Sequence, residues 1–461
     1  MRAGILAVRK AQGIEQKLAA LDAEFQVWLD LTEANRAFEK HHTQVRALTG
    51  HLEGLRSKTR QRFETAKQND FLAQAQNLES LILGIRRVWE FFRSKLIQRH
   101  DEEMRPFLQL ADELAWTCYK PVIDIAGLTA RREPPLVFLN GGLSPYAISR
   151  DETFAAEAVP GEALAGRTWD TILQRLPVPV IGVPWDQTAH IPDLPVIAHE
   201  TGHVVEQDFG LHDMVTSNID AMLKGAPGAA HAGHWKAWSK EVFADLWGCL
   251  TSGPAFVHSL MDFLALPRQV VDGEVATEQG KYPTAHLRIQ LCLEALKTLG
   301  FDAEIPAIQT AWTAEFKAGA MPGFEKDTPA IVSAIYASDF EIGGKRWRLP
   351  QIPGLRFQVA DWGYAQDAVK EQKSDKVLDS ATNAVLLVAA ARFSFDEDPA
   401  QYRAGNYGRA FTDHIPNIVA PGVRAGESKL SDEEKQDLSD ASRSAGEAWF
   451  EDFAEYFASS R

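Results

Sequence analysis

Two histidines four residues apart restrict the local fold of this chain more than any other feature. They belong to the run His199-Glu200-Thr201-Gly202-His203. In an α-helix, residues i and i+4 lie on one face about one turn apart, so both imidazoles can reach a single metal ion. Glu200 then projects beside the first histidine, where it can take a proton from water that the metal activates. The run therefore predicts a helix and a zinc-activated hydrolase.

The residues around this run suit a helix. Pro195 falls in the expected first turn, where a proline is tolerated because its missing N–H would have no partner there. Gly210 offers a helix stop after the second histidine. The competing interpretation is a buried histidine pair that only satisfies hydrogen bonds, and a second motif downstream argues against it.

A second predicted helix supplies the ligand that the first one lacks. A catalytic zinc site usually takes three protein ligands and leaves a fourth position for water, so two histidines are not enough. Glu241 and Asp245 lie four residues apart, so both carboxylates face the same way on a helix. Glu241 can be the third ligand, and Asp245 can accept the free ring N–H of a ligating histidine. The stretch around them is apolar, which leaves little room for the alternative of a solvated helix face.

This pair of motifs resembles the signature of the gluzincin zinc metallopeptidases, HExxH followed by a helix that carries ExxxD. The resemblance covers about residues 180–248. It implies that His199, His203 and Glu241 hold one zinc ion per chain. The fold that it implies is α+β, a mostly helical zincin-like domain with a small mixed sheet.

The resemblance also assigns roles around the metal. Glu200 would be the general base, and Asp245 the partner of a ligating histidine. Gluzincins use a Tyr or His downstream of the third ligand to stabilise the oxyanion of the tetrahedral intermediate. Tyr282 and His286 are the candidates here, and Arg288 is a third group that can reach a pocket. The ordinary polar residues of a helix N-terminus are the alternative interpretation of this segment.

Four other residues are of types that bind metals. His212 and Asp213 follow the first helix closely, and His231 and His234 lie in a stretch of small residues that reads as a loop. Each can be a ligand in principle. Solvated loop side chains are the default interpretation of all four.

Residues 176–185 read as an extended segment that precedes the metal helix. They are rich in β-branched residues, and their prolines predict a strand at the edge of a sheet. An edge strand has free N–H and C=O groups that can pair with an extended peptide, as a peptidase requires. An inert edge that proline blunts is an equally good interpretation. Residues 136–139 are a further strand candidate.

The N-terminal part of the chain has a different pattern. No proline occurs before Pro106, and apolar residues recur at spacings of three and four. This heptad-like stripe predicts an antiparallel helical hairpin of coiled-coil type over residues 14–118, with a turn at 67–70. Its basic tip, residues 56–62, could touch an acidic partner, although a solvated face is the simpler interpretation. The hairpin is also a candidate surface for a protein partner or for self-association.

These observations divide the chain into three predicted regions. Residues 1–118 form the helical hairpin, 119–345 the zincin-like metallopeptidase domain, and 346–461 a mostly helical C-terminal region. Glycines at 343 and 344 and prolines at 350 and 353 mark the second boundary. Within the last region, Ser431 and Glu434 form a capping box that predicts the start of a final helix.

Composition limits the environment and the partners. A net charge of −15 argues against a general nucleic-acid binder. The three cysteines lack the spacing of a metal finger and fit reduced thiols in the cytosol. The longest apolar run, near residues 384–391, is far shorter than a bilayer requires. We therefore expect a soluble, cytoplasmic protein that binds no membrane.

The sequence thus predicts a zinc metallopeptidase that acts on a protein or peptide substrate. The alternative is a coiled-coil scaffold or partner-binding protein in which the zinc site is structural or vestigial. A third possibility keeps the metal and changes the bond that is cleaved to another amide or an ester.

Overall fold

The chain is mostly helical and carries a small mixed sheet, as the sequence predicts. A computed structural model describes residues 4–36, 38–127, 133–148, 177–225, 227–276, 280–317, 323–419 and 431–459. Within these ranges, no helix combines the length and the apolar character that crossing a bilayer requires.

Packing divides the chain into two compact units, and each unit is made of segments that are not consecutive in the sequence. The first unit comprises Met1–Ile97, Arg150–Pro179 and Pro421–Arg461, and the second comprises Gln98–Ser149 and Val180–Ala420. The first unit therefore combines both ends of the chain. The division into three consecutive regions stays a prediction.

The described part of the first unit consists of helices. These are α1 (Ile5–Leu31), α2 (His42–Lys67), α3 (Phe71–Leu96) and a last helix, Asp432–Ser459, which we call the C-terminal helix. Ser431 caps this last helix as predicted, because its Oγ accepts the N–H of Glu434 while the Glu434 carboxylate accepts the N–H of Ser431.

The predicted hairpin over residues 14–118 is wrong in its connectivity. Its first arm is broken between Leu31 and His42, where Asn35 adopts a φ of +64° and the chain turns. Its second arm ends at Leu96, and a new helix begins at Met104. The stripe of apolar residues continues across both breaks, so periodicity alone could not reveal them.

The C-terminal helix crosses α2 at glycines. A Cβ atom on Gly54 would lie 2.2 Å from the carbonyl oxygen of Arg443. One on Gly446 would lie 1.9 Å from the carbonyl oxygen of His51. Only residues without a side chain let two helix backbones approach this closely.

The second unit begins with one helix and a three-stranded sheet. These are α4 (Met104–Ala126), β1 (Leu136–Asn140), β2 (Tyr146–Ile148) and β3 (Val180–Pro184). Helices then follow: α5 (Val196–Asp208), α6 (His212–Leu223), α7 (Ala232–Ala237), α8 (Ser239–Leu264), α9 (Arg268–Val271), α10 (Ala285–Leu299), α11 (Ile305–Glu315) and α12 (Thr328–Tyr336).

A two-stranded sheet and further helices complete the second unit. They are β4 (Phe340–Ile342), β5 (Lys345–Trp347), α13 (Val359–Lys373), α14 (Ala384–Glu397), α15 (Pro399–Ala404) and α16 (Tyr407–Ile418). One buried apolar core runs through the unit, and α5 and α8 pack against each other within it.

The strand that precedes α5 lies in the middle of its sheet. The strand order is β1-β3-β2, with β3 parallel to β1 and antiparallel to β2. The predicted edge position of residues 176–185 is therefore wrong, because β3 pairs with β1 along its whole length and with β2 at Val180, Ile181 and Gly182. The reason is the position of its prolines: Pro177 and Pro179 precede the strand, and Pro184 is its last residue, which pairs with β1 but not with β2.

The outer edge of β1 is occupied by side chains. The Gln98 amide donates to the carbonyl of Leu139 at 3.0 Å and accepts the N–H of the same residue at 2.8 Å. Next to it, the buried Arg99 guanidinium donates to the carbonyl of Val137 and pairs with Asp112. These contacts satisfy backbone groups that an edge strand would otherwise expose.

Helix α8 bends sharply within the core that it shares with α5. Gly253 has φ +56° and ψ −139°, and Pro254 follows it. A proline inside a helix frees the carbonyl four residues earlier. Here that carbonyl belongs to Leu250, and it accepts the N–H of Phe357 at 2.8 Å. The bend is therefore tied to the segment before α13.

The substitution Gly54→Ala is expected to destabilise the first unit by about 1–3 kcal/mol, because the new methyl group would collide with backbone that cannot move aside. Chemical denaturation followed by circular dichroism measures the effect. Gly13→Ala in α1 is the matched control, since no atom lies within 4 Å of its Cβ position. Alanine favours a helix over glycine by about 1 kcal/mol. An equal response of the two variants would contradict the close crossing.

Candidate metal centre

Helices α5 and α8 approach each other closely beside the two histidines. A Cβ atom on Gly202 would lie 2.9 Å from Cβ of Trp247 and 3.0 Å from Cα of Ala244. Gly202 is the fourth residue of the histidine motif, so the glycine stands directly at the crossing. The predicted helix itself is confirmed, and it stops where Gly210 adopts a φ of +62°.

This crossing brings three candidate ligands to one point. Nε2 of His199 and Nε2 of His203 are 3.2 Å apart. The two carboxylate oxygens of Glu241 each lie 3.5 Å from one of these nitrogens. One donor atom from each residue lies within 4.8 Å of the others. Within the described part of the chain, no other cluster of three such residues has a geometry that could hold a metal ion.

Asp245 lies behind the first histidine, one helical turn after Glu241. Its Oδ1 is 2.9 Å from Nδ1 of His199. The carboxylate is fully buried and also accepts two hydrogen bonds of 2.7 Å from the Arg288 guanidinium. Burial opposes its charged form, but Arg288 and then His199 outweigh that cost and lower the pKa of Asp245 to about 2. Asp245 is therefore an ionised carboxylate that lies between the Arg288 guanidinium and the His199 imidazole.

The donor atoms fit a bound cation. Oδ1 of Asp245 lies against Nδ1 of His199, and Nε2 on the other side of the ring faces His203 and Glu241, where it can bind a cation once that cation displaces its proton. Burial by itself would lower the pKa of His199. The carboxylates of Asp245 and Glu241 outweigh burial and raise the pKa to about 10. A site that holds a proton so strongly attracts positive charge in general. Two imidazole nitrogens and one carboxylate are donors that zinc prefers.

Glu200 is buried next to this cluster, with 6% of its surface exposed. Burial raises its pKa, while the nearby His199 and His203 lower it and Glu241 raises it. These influences place the Glu200 carboxylate within the electrostatic field of all three candidate ligands. It is not itself part of the donor cluster.

The two predicted oxyanion residues have different surroundings. Tyr282 is 56% exposed, its ring lies 6.0 Å from the Arg288 guanidinium, and burial followed by the charge of Glu241 raises its pKa. His286 is buried, and its Nδ1 accepts the indole N–H of Trp312 at 3.1 Å. Only Tyr282 interacts electrostatically with the cluster, which makes it the stronger of the two candidates.

The remaining histidines have local roles. His212 Nδ1 lies 2.9 Å from the buried Glu206 carboxylate, which raises the pKa of His212. His231 Nδ1 lies 2.7 Å from Asp327, and its ring stacks on Phe324 with centroids 4.0 Å apart. His234 and Asp213 also stay outside the donor cluster.

Sequence reasoning missed how Arg288 is used. It was a candidate for a pocket, and its guanidinium instead binds Asp245 through two hydrogen bonds. A signal was present, since Arg288 is a single charge in an apolar stretch of α10 and a buried charge requires a partner. The importance of Gly202 had no such signal, because the middle residues of the motif are variable.

A comparison of the chain with protein-family models, with curated proteins and with solved structures finds no match. The interpretation of the site therefore rests on its own residues and geometry.

The substitution Gly202→Ala is expected to push α5 and α8 apart and weaken metal binding, because the methyl group has no room between Trp247 and Ala244. Competition with a chromophoric chelator measures the zinc affinity, and thermal unfolding reports stability. Gly363→Ala in α13 is the control, since its Cβ position is open. Unchanged zinc affinity in Gly202→Ala would show that the crossing does not set the ligand geometry.

Proposed function

We propose that this protein is a zinc-dependent metallopeptidase of the gluzincin type. The observation that carries the proposal is the convergence of His199, His203 and Glu241, with the Glu200 carboxylate beside them and Asp245 behind. Residues from two separate helices meet at one point. Neither alternative interpretation, a solvated acidic helix face or an isolated histidine pair, would call for this convergence. The class of substrate is a protein or peptide.

A zinc ion bound by these three residues would lower the pKa of a water molecule and polarise a carbonyl group. Glu200 then acts as the general base: its carboxylate takes a proton from the attacking water and passes it to the leaving amine. The burial of Glu200 limits competing solvent and raises its basicity.

Other residues of the site have supporting roles in this proposal. Asp245 fixes the tautomer and the orientation of His199, and Arg288 holds Asp245 in place. Tyr282 can donate a hydrogen bond from its hydroxyl group to the oxyanion of the tetrahedral intermediate. Its exposed position beside Arg288 suits a group that meets the substrate from the solvent side.

The exposure of the candidate ligands favours a catalytic site over a structural one. The side chains of His203 and Glu241 are 16% and 14% exposed, so this side of the cluster is open to solvent. A purely structural zinc site is usually closed by a fourth protein ligand. The described residues offer three. Cleavage of an ester or another amide would use the same residues. Assays with different substrates distinguish these reactions from peptide hydrolysis.

Glu200→Gln is expected to lower kcat by at least about 100-fold while zinc stays bound, because the amide cannot accept the proton but occupies the same space. Hydrolysis of a broad library of quenched fluorescent peptides gives the rate, and elemental analysis gives the zinc content. Glu206→Gln on the same helix is the matched control, since Glu206 bonds to His212 and a glutamine can replace it there. Full peptidase activity in Glu200→Gln would refute the assignment of the base.

Glu241→Ala is expected to weaken zinc binding by about 10-fold or more, because it removes a ligand rather than the base. Dialysis against a chelator followed by titration with zinc gives the affinity. In the wild type, chelation should abolish peptide hydrolysis and added zinc should restore it. Stoichiometric zinc in Glu241→Ala with unchanged affinity would show that Glu241 is not a ligand.

A further inference from the structure

The contact between α2 and the C-terminal helix contains a buried histidine. His51 is 5% exposed, and its ring lies 5.4 Å from the ring of Trp449. Its backbone carbonyl faces Gly446, where the two helices are closest. Its Nε2 atom is buried and has no hydrogen-bond partner among the described residues. The imidazole therefore packs as an apolar ring and gains nothing there from a charge.

The charges near this contact do not stabilise a protonated His51. Glu53 and Arg56 on α2, Asp22 on α1, and Arg443 on the C-terminal helix interact with one another. Lys58 on α2 and Glu447 on the C-terminal helix lie 3.9 Å apart. On α3, the acids and bases pair with each other or with α1, as seen for Glu79, Arg86, Glu90 and Arg93.

Burial alone lowers the pKa of His51 to about 4. Glu53 has the opposite linkage: burial raises its pKa, so its protonation favours the packed state as the pH falls. A variant at position 51 therefore separates the two effects.

We propose that the C-terminal helix is attached to α2 by a pH-sensitive latch in which neutral His51 permits docking and protonated His51 releases the helix. Release exposes the apolar face of the C-terminal helix, which is buried in the docked state. This face consists of Trp449, Phe450, Phe453 and Ala454. It also uncovers the glycines of α2. The latch is a property of the first unit and does not depend on the proposed peptidase activity.

The direction follows from the two protonation states. In the released state the imidazole is solvated and has its ordinary pKa of 6.5, whereas in the docked state the pKa is about 4. Docking is thus fully favoured above about pH 6.5 and weakens as the pH falls toward about 4. By linkage, the His51 contribution to the docking equilibrium constant falls about 30-fold between pH 8 and pH 5, and protonation of Glu53 offsets part of that fall.

Hydrogen–deuterium exchange of the full chain at pH 8 and pH 5, corrected for the intrinsic exchange rates, tests the latch. In the wild type, protection of residues 443–455 should fall at pH 5 by as much as about 30-fold, less the part that Glu53 offsets, while α1 and α3 keep theirs. His51→Phe should retain protection at both values, because it keeps a ring against Trp449 and cannot be protonated. The exposed-histidine variant His100→Gln should behave as the wild type.

Any of three outcomes, in the wild type or in His51→Phe, would overturn the latch. One is equal protection of residues 443–455 in the wild type at both pH values. The second is the same loss in His51→Phe as in the wild type, and the third is a loss spread evenly over every helix of the unit. Should His51→Phe not fold, His51→Gln provides the same test, since its amide does not titrate in this range.

Discussion

The close crossing of α5 and α8 at Gly202 is the constraint on which the candidate site depends. Packed helices usually lie 8–10 Å apart, and the smaller values require small residues at the contact. Without a side chain at Gly202, the backbone of Ala244 can approach, and Glu241 reaches the two imidazoles of α5. A methyl group here would change the distance between helices on which all three candidate ligands depend.

Electrostatics explains why the surrounding core can hold so many polar groups. Buried charges are costly unless they are paired and hydrogen-bonded. Asp245 is paired twice, with the Arg288 guanidinium on one side and His199 on the other. Glu241 faces both imidazoles and lies 3.9 Å from Arg288. The carboxylates that favour a proton on His199 also favour positive charge at the point where the three candidate ligands meet.

Local patterns predicted the parts of the fold that involve a single element. The helix that carries His199 and His203, its stop at Gly210 and the capping box at Ser431 follow from spacing and local chemistry, and the structure confirms them. Two predictions that depended on neighbouring segments failed. The strand at Val180–Pro184 exists, but its central place in the sheet depends on β1 and β2 pairing with it from elsewhere in the chain. The hairpin failed because a turn at Asn35 interrupts a stripe that continues in register.

The sequence by itself determined which groups are available for chemistry and on which helix faces they lie, because an i, i+4 spacing dictates direction within one helix. It could therefore name His199, His203, Glu241 and Asp245 as a candidate set. Only the tertiary structure decided that the two helices meet with their donors facing one point, that Arg288 binds Asp245, and that Nε2 of His51 is buried without a hydrogen-bond partner among the described residues. These features depend on contacts between residues far apart in the chain, and such contacts are set by packing, which no local pattern encodes.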